Sequence, residues 1–163
     1  MKKLLEMAAK KVDSAEVFHM SYDNGNVQFQ NYGLTDITNK IQSGYCLRVI
    51  KDGYLGTSYT KNLLDREGLI NNALESLKGK VEANFTFPEN HTPKDFKTYD
   101  SSIEELTNEK MLEDIKDTCQ YVKDKSEGQL DVYAGSGVES VKIINTSGLD
   151  VDHKTSYFGA YQR

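Results

Sequence analysis

The chain has no tryptophan, only two prolines and two cysteines in 163 residues, and no apolar run near the length of a membrane crossing. Each shortage removes a class of protein. A spanning helix needs roughly 20 consecutive apolar residues, so none is expected here. With so little proline, 37% hydrophobic and 28% charged residues, the chain is neither collagen-like nor disordered and fits one ordinary globular domain with its own core. Cys46 and Cys119 fall in different predicted elements and form no CxxC pair, so they read as buried free thiols of a reducing compartment. The N-terminal MKKLLEMAAKKVDSAE is interrupted by Glu6 and is too short in its apolar part for a secretory leader, which places the protein in the cytoplasm. Basic residues number 20 against 25 acidic ones, a net charge of −5, and the cations are scattered. Phosphate contacts need clustered cations, so direct nucleic-acid binding is disfavoured.

Signatures of self-contained chemistry are missing as well. His19, His91 and His153 are far apart and belong to no HExxH or HExxxH helix, and no GxSxG nucleophile elbow occurs. Gly53 and Gly56, followed by Thr57-Ser58, have loop-like spacing, yet the Walker lysine is absent and no helix follows to aim N–H groups at a phosphate. No catalytic and no metal-ligating residue is assigned.

What is present alternates. Leu5, Ala8 and Val12 recur at helical spacing and predict a short first helix ending near Asp13. AEVFHMSY reads as a strand, Asn24-Gly25 as a two-residue hairpin turn, and NVQFQNYG as the return strand. Thr35 to Gln42 is a weaker strand with Ile37 and Ile41 on one face. In GYCLRVIKDGYLGTSYT, Tyr45, Leu47 and Val49 alternate with Cys46, Arg48 and Ile50, and Asp52-Gly53 supplies the two positive-φ positions of a type I′ turn before 54–59 pairs back. A helix is predicted over 66–78, with Asp65 as N-cap, Leu64 and Leu69 as a hydrophobic staple and Gly79 at the C′ position. Periodicity vanishes over 80–100, where both Pro88 and Pro93 lie, so a long loop or crossover is expected. Ser101 with Glu104 forms a capping-box pattern, and Thr107 is a second possible N-cap, ahead of a helix running to about Lys125. Three strands follow, with turns expected at Gly135, Gly137 and Ser147-Gly148.

The predicted class is α+β: a mostly antiparallel, curved sheet built from hairpins, with about three helices packed on it, in a single domain over 1–163. The sequence stops at Arg163 inside a strand pattern, which gives the expectation of a piece of a longer chain. Arg48 is the most informative single charge, because an arginine in an apolar strand needs a partner. Two readings stay open: an ion pair with an acidic residue such as Asp36 or Glu16, or a cleft position that receives a peptide carbonyl or carboxylate.

In order along the chain, AEVFHMSYDNGNVQFQNYGLTDI, GYCLRVIKDGYLGTSYTKNL with Gly44, Arg48, Asp52, Gly53 and Gly56 in G-x-x-x-R-V-I-x-D-G-x-x-G positions, YDSSIEELTNEKMLEDI, and IINTSGLDVDHKTSYFGAY with Gly148 resemble the N-terminal region of the TldD/PmbA family, the modulators of DNA gyrase. The DSSIEEL and AEVF segments lean toward PmbA-type subunits. The resemblance implies a metallopeptidase-like system of homo- or hetero-dimers around an internal chamber that accepts unfolded or peptide substrates. It also implies zinc, held in the TldD-type subunit by an HExxxH helix and a later cysteine. No position of this chain matches that motif, so the expected role is chamber wall and dimer contact without the metal site. The alternative from another class is a self-standing protein-interaction module with no catalytic role.

Overall fold

A computed structural model describes residues 1–90, 94 and 96–163. Three helices, α1 (Lys2–Ala8), α2 (Arg66–Ser76) and α3 (Asn108–Lys123), accompany five strands. The strands are β1 (Ser14–Gln30), β2 (Gly33–Lys51), β3 (Tyr54–Thr60), β4 (Val132–Asn145) and β5 (Asp150–Gln162). They form one antiparallel sheet in the order β3-β2-β1-β4-β5, an α+β fold. Short 3₁₀ turns occupy Leu77–Gly79 and Ser101–Glu105.

The strands are fewer and longer than the turn signals suggest. Asn24-Gly25 is no turn, since β1 runs straight through it. The β1–β2 reversal lies instead at Asn31 and Tyr32, with φ of +47° and +65°, the signs a type I′ hairpin needs at both central residues. Asparagine tolerates that region; tyrosine does not, and it is held there from outside. Its N–H donates to the Leu130 carbonyl at 3.1 Å, its hydroxyl donates to the Gly128 carbonyl at 2.7 Å, and the Asn31 N–H donates to Asp131 at 3.0 Å. Gly25 is used for closeness, because a Cβ there would run into the Asn108 side chain of α3. Likewise 35–42 and 45–50 are parts of one strand through Gly44, and Gly135 and Gly137 sit inside β4, where a Cβ on Gly137 would stand 2.7 Å from the Tyr157 ring and 2.8 Å from Asn24 Cβ.

The turn at Asp52 and Gly53 has φ of +52° and +78°, and the pairing it sets runs from Lys51 with Tyr54 to Tyr45 with Thr60. Asp65 caps α2 by accepting from the Gly68 N–H at 2.7 Å, and Thr107 caps α3 through the Lys110 N–H at 3.3 Å. Two end signals of α2 differ from expectation. Leu64 is 88% exposed and staples nothing, and the left-handed residue is Lys80 (φ +49°), not Gly79. The first helix also ends earlier than expected, at Ala8.

The chain divides into two compact units. The first comprises Met1–Ser21, Ser43–Asp95 and Ser140–His153. There, Leu4 and Ala8 of α1 and Leu69, Ile70 and Ala73 of α2 pack on Ala15, Val17, Leu47, Val49 and Ile144 of the strands. The second comprises Tyr22–Gln42, Phe96–Glu139 and Lys154–Arg163. Its core sets Met111, Ile115 and Cys119 of α3 against Val27, Phe29, Leu130, Val132 and Ala134. No described helix is long and apolar enough to cross a membrane.

Candidate functional site

Arg48 stands in β2 beside Glu16 of β1. The guanidinium is bonded to one carboxylate oxygen twice, through Nε at 3.0 Å and through an η nitrogen. Glu16 is buried, with 3% of its side chain exposed, whereas 41% of the Arg48 side chain reaches solvent. Over the pair lies Phe87, a buried ring whose centroid is 5.5 Å from the guanidinium carbon. Phe87 comes from the crossover, and the described part of that segment explains how it arrives. Near its start it pairs with the β3 hairpin, with the Leu55 N–H donating to Val81 at 2.8 Å and the Ala83 N–H to Gly53 at 2.9 Å. Near its far end the Pro88 carbonyl accepts from the Asn145 amide at 2.9 Å, and Glu89 bridges to Gly148. The acidic partner of Arg48 is Glu16 and not Asp36. His91 and Pro93 lie outside the described residues.

Asn145 organises the turn at Ser147-Gly148. Its side-chain oxygen accepts from the Ser147 and Leu149 N–H groups at 2.9 and 3.1 Å, while its amide holds the crossover. An Asn three residues before a Gly is a legible Asx-turn pattern; its long-range bond to Pro88 is not. Gly148 at the same turn has φ +93°. Gly56 of β3 faces α2 so closely that a Cβ would collide with the Ala73 carbonyl and meet Leu77 at 3.0 Å.

Burial pushes the Cys46 thiol above its ordinary range; Arg48 opposes this and Glu16 adds to it. Burial alone raises Cys119. His19 stacks on Tyr45 with ring centroids 4.4 Å apart, and burial, followed by the terminal ammonium, lowers its pKa. Among the described residues no three His, Cys, Asp or Glu side chains come together as a metal-holding group. These side chains do not fit a zinc site.

What the geometry does offer is an open strand edge. The β2–β3 ladder ends at Tyr45 with Thr60, so Gly33–Gly44 of β2 extend beyond β3. Residues 33–43 are exposed without a break on both faces, including Leu34 at 47%, Ile37 at 45% and Ile41 at 75%. Among the described residues one side chain addresses this stretch from α3, where Asn108 donates to the Thr38 carbonyl at 3.1 Å.

Residues 15–83 match the model of PmbA/TldA metallopeptidase domain 1. An uncharacterized protein of Methanocaldococcus jannaschii is 26% identical over 160 residues, 98% of this chain and 38% of its own length. The fold is shared with TldE from Thermococcus kodakarensis (TM-score 0.86, 16% identity, 99% of this chain, 38% of that one). It is shared equally with a candidate modulator of a DNA gyrase from Thermotoga maritima (TM-score 0.84, 20% identity, 99% and 41%). The chain spans about two fifths of the length of these relatives. The match to PmbA/TldA metallopeptidase domain 1 covers β1 to β3, and the fold of the whole chain is the one these solved structures share.

Proposed function

We propose that this chain is the N-terminal domain of a TldD/PmbA-type metallopeptidase system, forming part of the substrate-path wall and a contact between subunits, while other residues of the assembly hold the metal. One observation carries the reading: the exposed edge of β2 over 33–43. An unpaired strand edge presents a row of N–H and C=O groups, and another strand laid against it gains main-chain hydrogen bonds whatever its side chains. That suits unfolded or peptide substrates of varied sequence as well as a partner subunit of TldD/PmbA type. The sheet's neighbours in the ion pair, Arg48 and Glu16, serve architecture. Zinc belongs to the TldD-type subunit in this reading, and DNA is no direct ligand at a net charge of −5.

The test replaces Ile37 and Ile41 together by Lys in the full-length protein, which charges the edge and leaves both cores untouched. Association with the partner subunit, followed by light scattering, and chelator-sensitive peptide cleavage by the assembly are both expected to fall at least tenfold. Association and cleavage at unchanged levels overturn the proposal.

A further inference from the structure

The bonds that fasten Arg48 to Glu16 are architectural, but they leave part of the pair unused. Both end on Glu16 Oε1. The other η nitrogen of Arg48 and the other carboxylate oxygen have no partner among the described residues. The sealed side-chain polar atoms without a partner lie elsewhere, at Asn24, Arg66 and Asn108, so both of these atoms face solvent. The β2–β3 register shows what stands beside them. Arg48 is opposite Thr57 and Cys46 is opposite Tyr59, and residues directly opposite share a face of the sheet. That face is turned away from α2, because the alternate residues Gly56 and Ser58 point at Ala73 and Leu69 of the helix. Thr57 is exposed, and Tyr59 is 88% exposed. Tyr59 is diagonal to Arg48, about 7–8 Å across the ladder and within reach of a long side chain. We infer that Arg48 and Tyr59 hold the main chain of an extended peptide on this face, the guanidinium donating to a peptide carbonyl and the Tyr59 ring lying along the chain; the inference rests on the reading of the domain as a wall of the substrate path.

Charge decides the kind of ligand. The Glu16 carboxylate already cancels the charge of Arg48, so an incoming carboxylate gains little there and meets Glu16 as a like charge. A peptide group is neutral and dipolar, with one acceptor and one donor. It matches the unused η nitrogen, which donates, and the unused carboxylate oxygen, which accepts. A hydrogen bond from a charged donor is the stronger kind, and here it is made to a group that every residue carries, so binding tolerates varied sequence. The spacing fits as well. An extended chain repeats every two residues, about 6.6 Å, close to the Arg48 to Tyr59 separation. Phe87 covers the guanidinium from one side at 5.5 Å, which leaves its edge as the part open to a ligand. Tyr59 supplies an apolar ring with a polar tip in water, a combination suited to a contact that is apolar at one end and wet at the other.

The probe is a short fluorescent peptide of alanine, serine and glycine, capped at both ends, and its Kd for the full-length protein is read by anisotropy. Tyr59→Ala removes an exposed ring, leaves both cores untouched and weakens binding about tenfold, whereas Tyr59→Phe keeps it within about twofold. Arg48→Lys keeps a cation beside Glu16 but loses the fork and also weakens binding about tenfold. Its Kd is referred to the folded fraction found by urea unfolding, so that a purely architectural Arg48 would leave it unchanged. The same peptide with a free terminal carboxylate binds within about twofold of the capped form; a preference of about tenfold or more for the carboxylate overturns the main-chain reading. No binding of the probe by the parent protein refutes the site. If Arg48→Lys and Tyr59→Ala leave Kd unchanged while the Ile37→Lys, Ile41→Lys pair abolishes binding, this site is refuted and the edge reading survives. If none of these variants changes Kd, both fall. If Arg48→Lys and Tyr59→Ala weaken binding and the isoleucine pair does not, this site stands and the edge reading falls.

Discussion

Arg48→Ala tests whether the ion pair in the first unit is architectural. The substitution leaves Glu16 as an unpaired carboxylate of which 3% is exposed. Removing one member of a fully buried pair costs about 3–5 kcal/mol. Here 41% of Arg48 is already solvated, so water can follow the truncation, and the cost falls to the bottom of that range or just below it, about 2–3 kcal/mol. Loss of the contact with Phe87, whose centroid is 5.5 Å away, adds about 0.5–1 kcal/mol. The total expected is about 3 kcal/mol, against less than about 0.5 kcal/mol for Lys61→Ala at an exposed position. The assay is urea unfolding, with the midpoint and the slope fitted separately so that a change of denatured state is recognised. A second variant isolates the charge. Adding Glu16→Gln to Arg48→Ala replaces the orphaned carboxylate by a neutral amide, whose unsatisfied burial costs about 1–3 kcal/mol and less than that of a charge, so part of the stability returns. If Arg48→Ala costs no more than Lys61→Ala, or if Glu16→Gln recovers nothing, the pair does not carry the role given to it.

Three further outcomes follow from the same geometry. Gly56→Ala puts a methyl group into the Ala73 carbonyl of α2 and is expected to lower the urea midpoint by about 1–3 kcal/mol in free-energy terms, the usual cost of overpacking. Cys46, whose thiol is pushed up by burial, with Arg48 opposing, is expected to alkylate more slowly at pH 8 than a free cysteine, and to gain rate only above the ordinary thiol range; mass spectrometry of the modified peptide reads this. His19 has a folded pKa below its unfolded value, chiefly from burial. The unfolded chain therefore binds the proton first, and His19's contribution to stability is present above about pH 6.5 and lost as the pH falls below it through the folded pKa. The imidazole NMR titration gives the midpoint, and His19→Gln flattens that part of the pH profile.

The difference between two hairpin signals shows what a local pattern can decide. Asp52-Gly53 and Asn24-Gly25 are equally good turn dipeptides, yet only the first turns. Gly25 is needed under Asn108, eighty-odd positions away in sequence, and the actual reversal at Asn31-Tyr32 is fastened by residues 128–131. Such bonds leave no trace within a window of ten residues. The same limit held Arg48 between two partners: Asp36 and Glu16 were both chemically adequate, and only strand order, which puts β1 beside β2, selects Glu16. Phe87 was hidden for another reason, since the aperiodic 80–100 segment gave no sign that a ring within it would be buried. Helix starts were legible because a cap is a contact between residues three apart.

The outer strands are treated unequally, and this separates architecture from contact. In the first unit, β3 is met by 81–83 of the crossover. In the second, the Ser156 N–H of β5 donates to the Thr98 carbonyl at 2.9 Å. Side-chain bonds of the stretch 33–43 run to its β1 neighbours at Thr35, Thr38 and Gln42, and from α3 Asn108 reaches the Thr38 carbonyl. Packing cannot account for a long strand that is exposed on both faces, because exposed apolar edges invite unwanted pairing and are usually blunted. Substitutions in the two places should therefore act in opposite ways. Changes at Arg48, Glu16 or Gly56 lower unfolding free energy and affect association only through lost folded protein. Changes at Asp36, Ile37, Lys40 or Ile41 alter association while the urea midpoint at low protein concentration stays within about 0.5 kcal/mol of the parent, as surface substitutions do. A large stability loss from Ile41→Lys would mean that the edge is covered within a single copy and would remove the basis for assigning it to a partner.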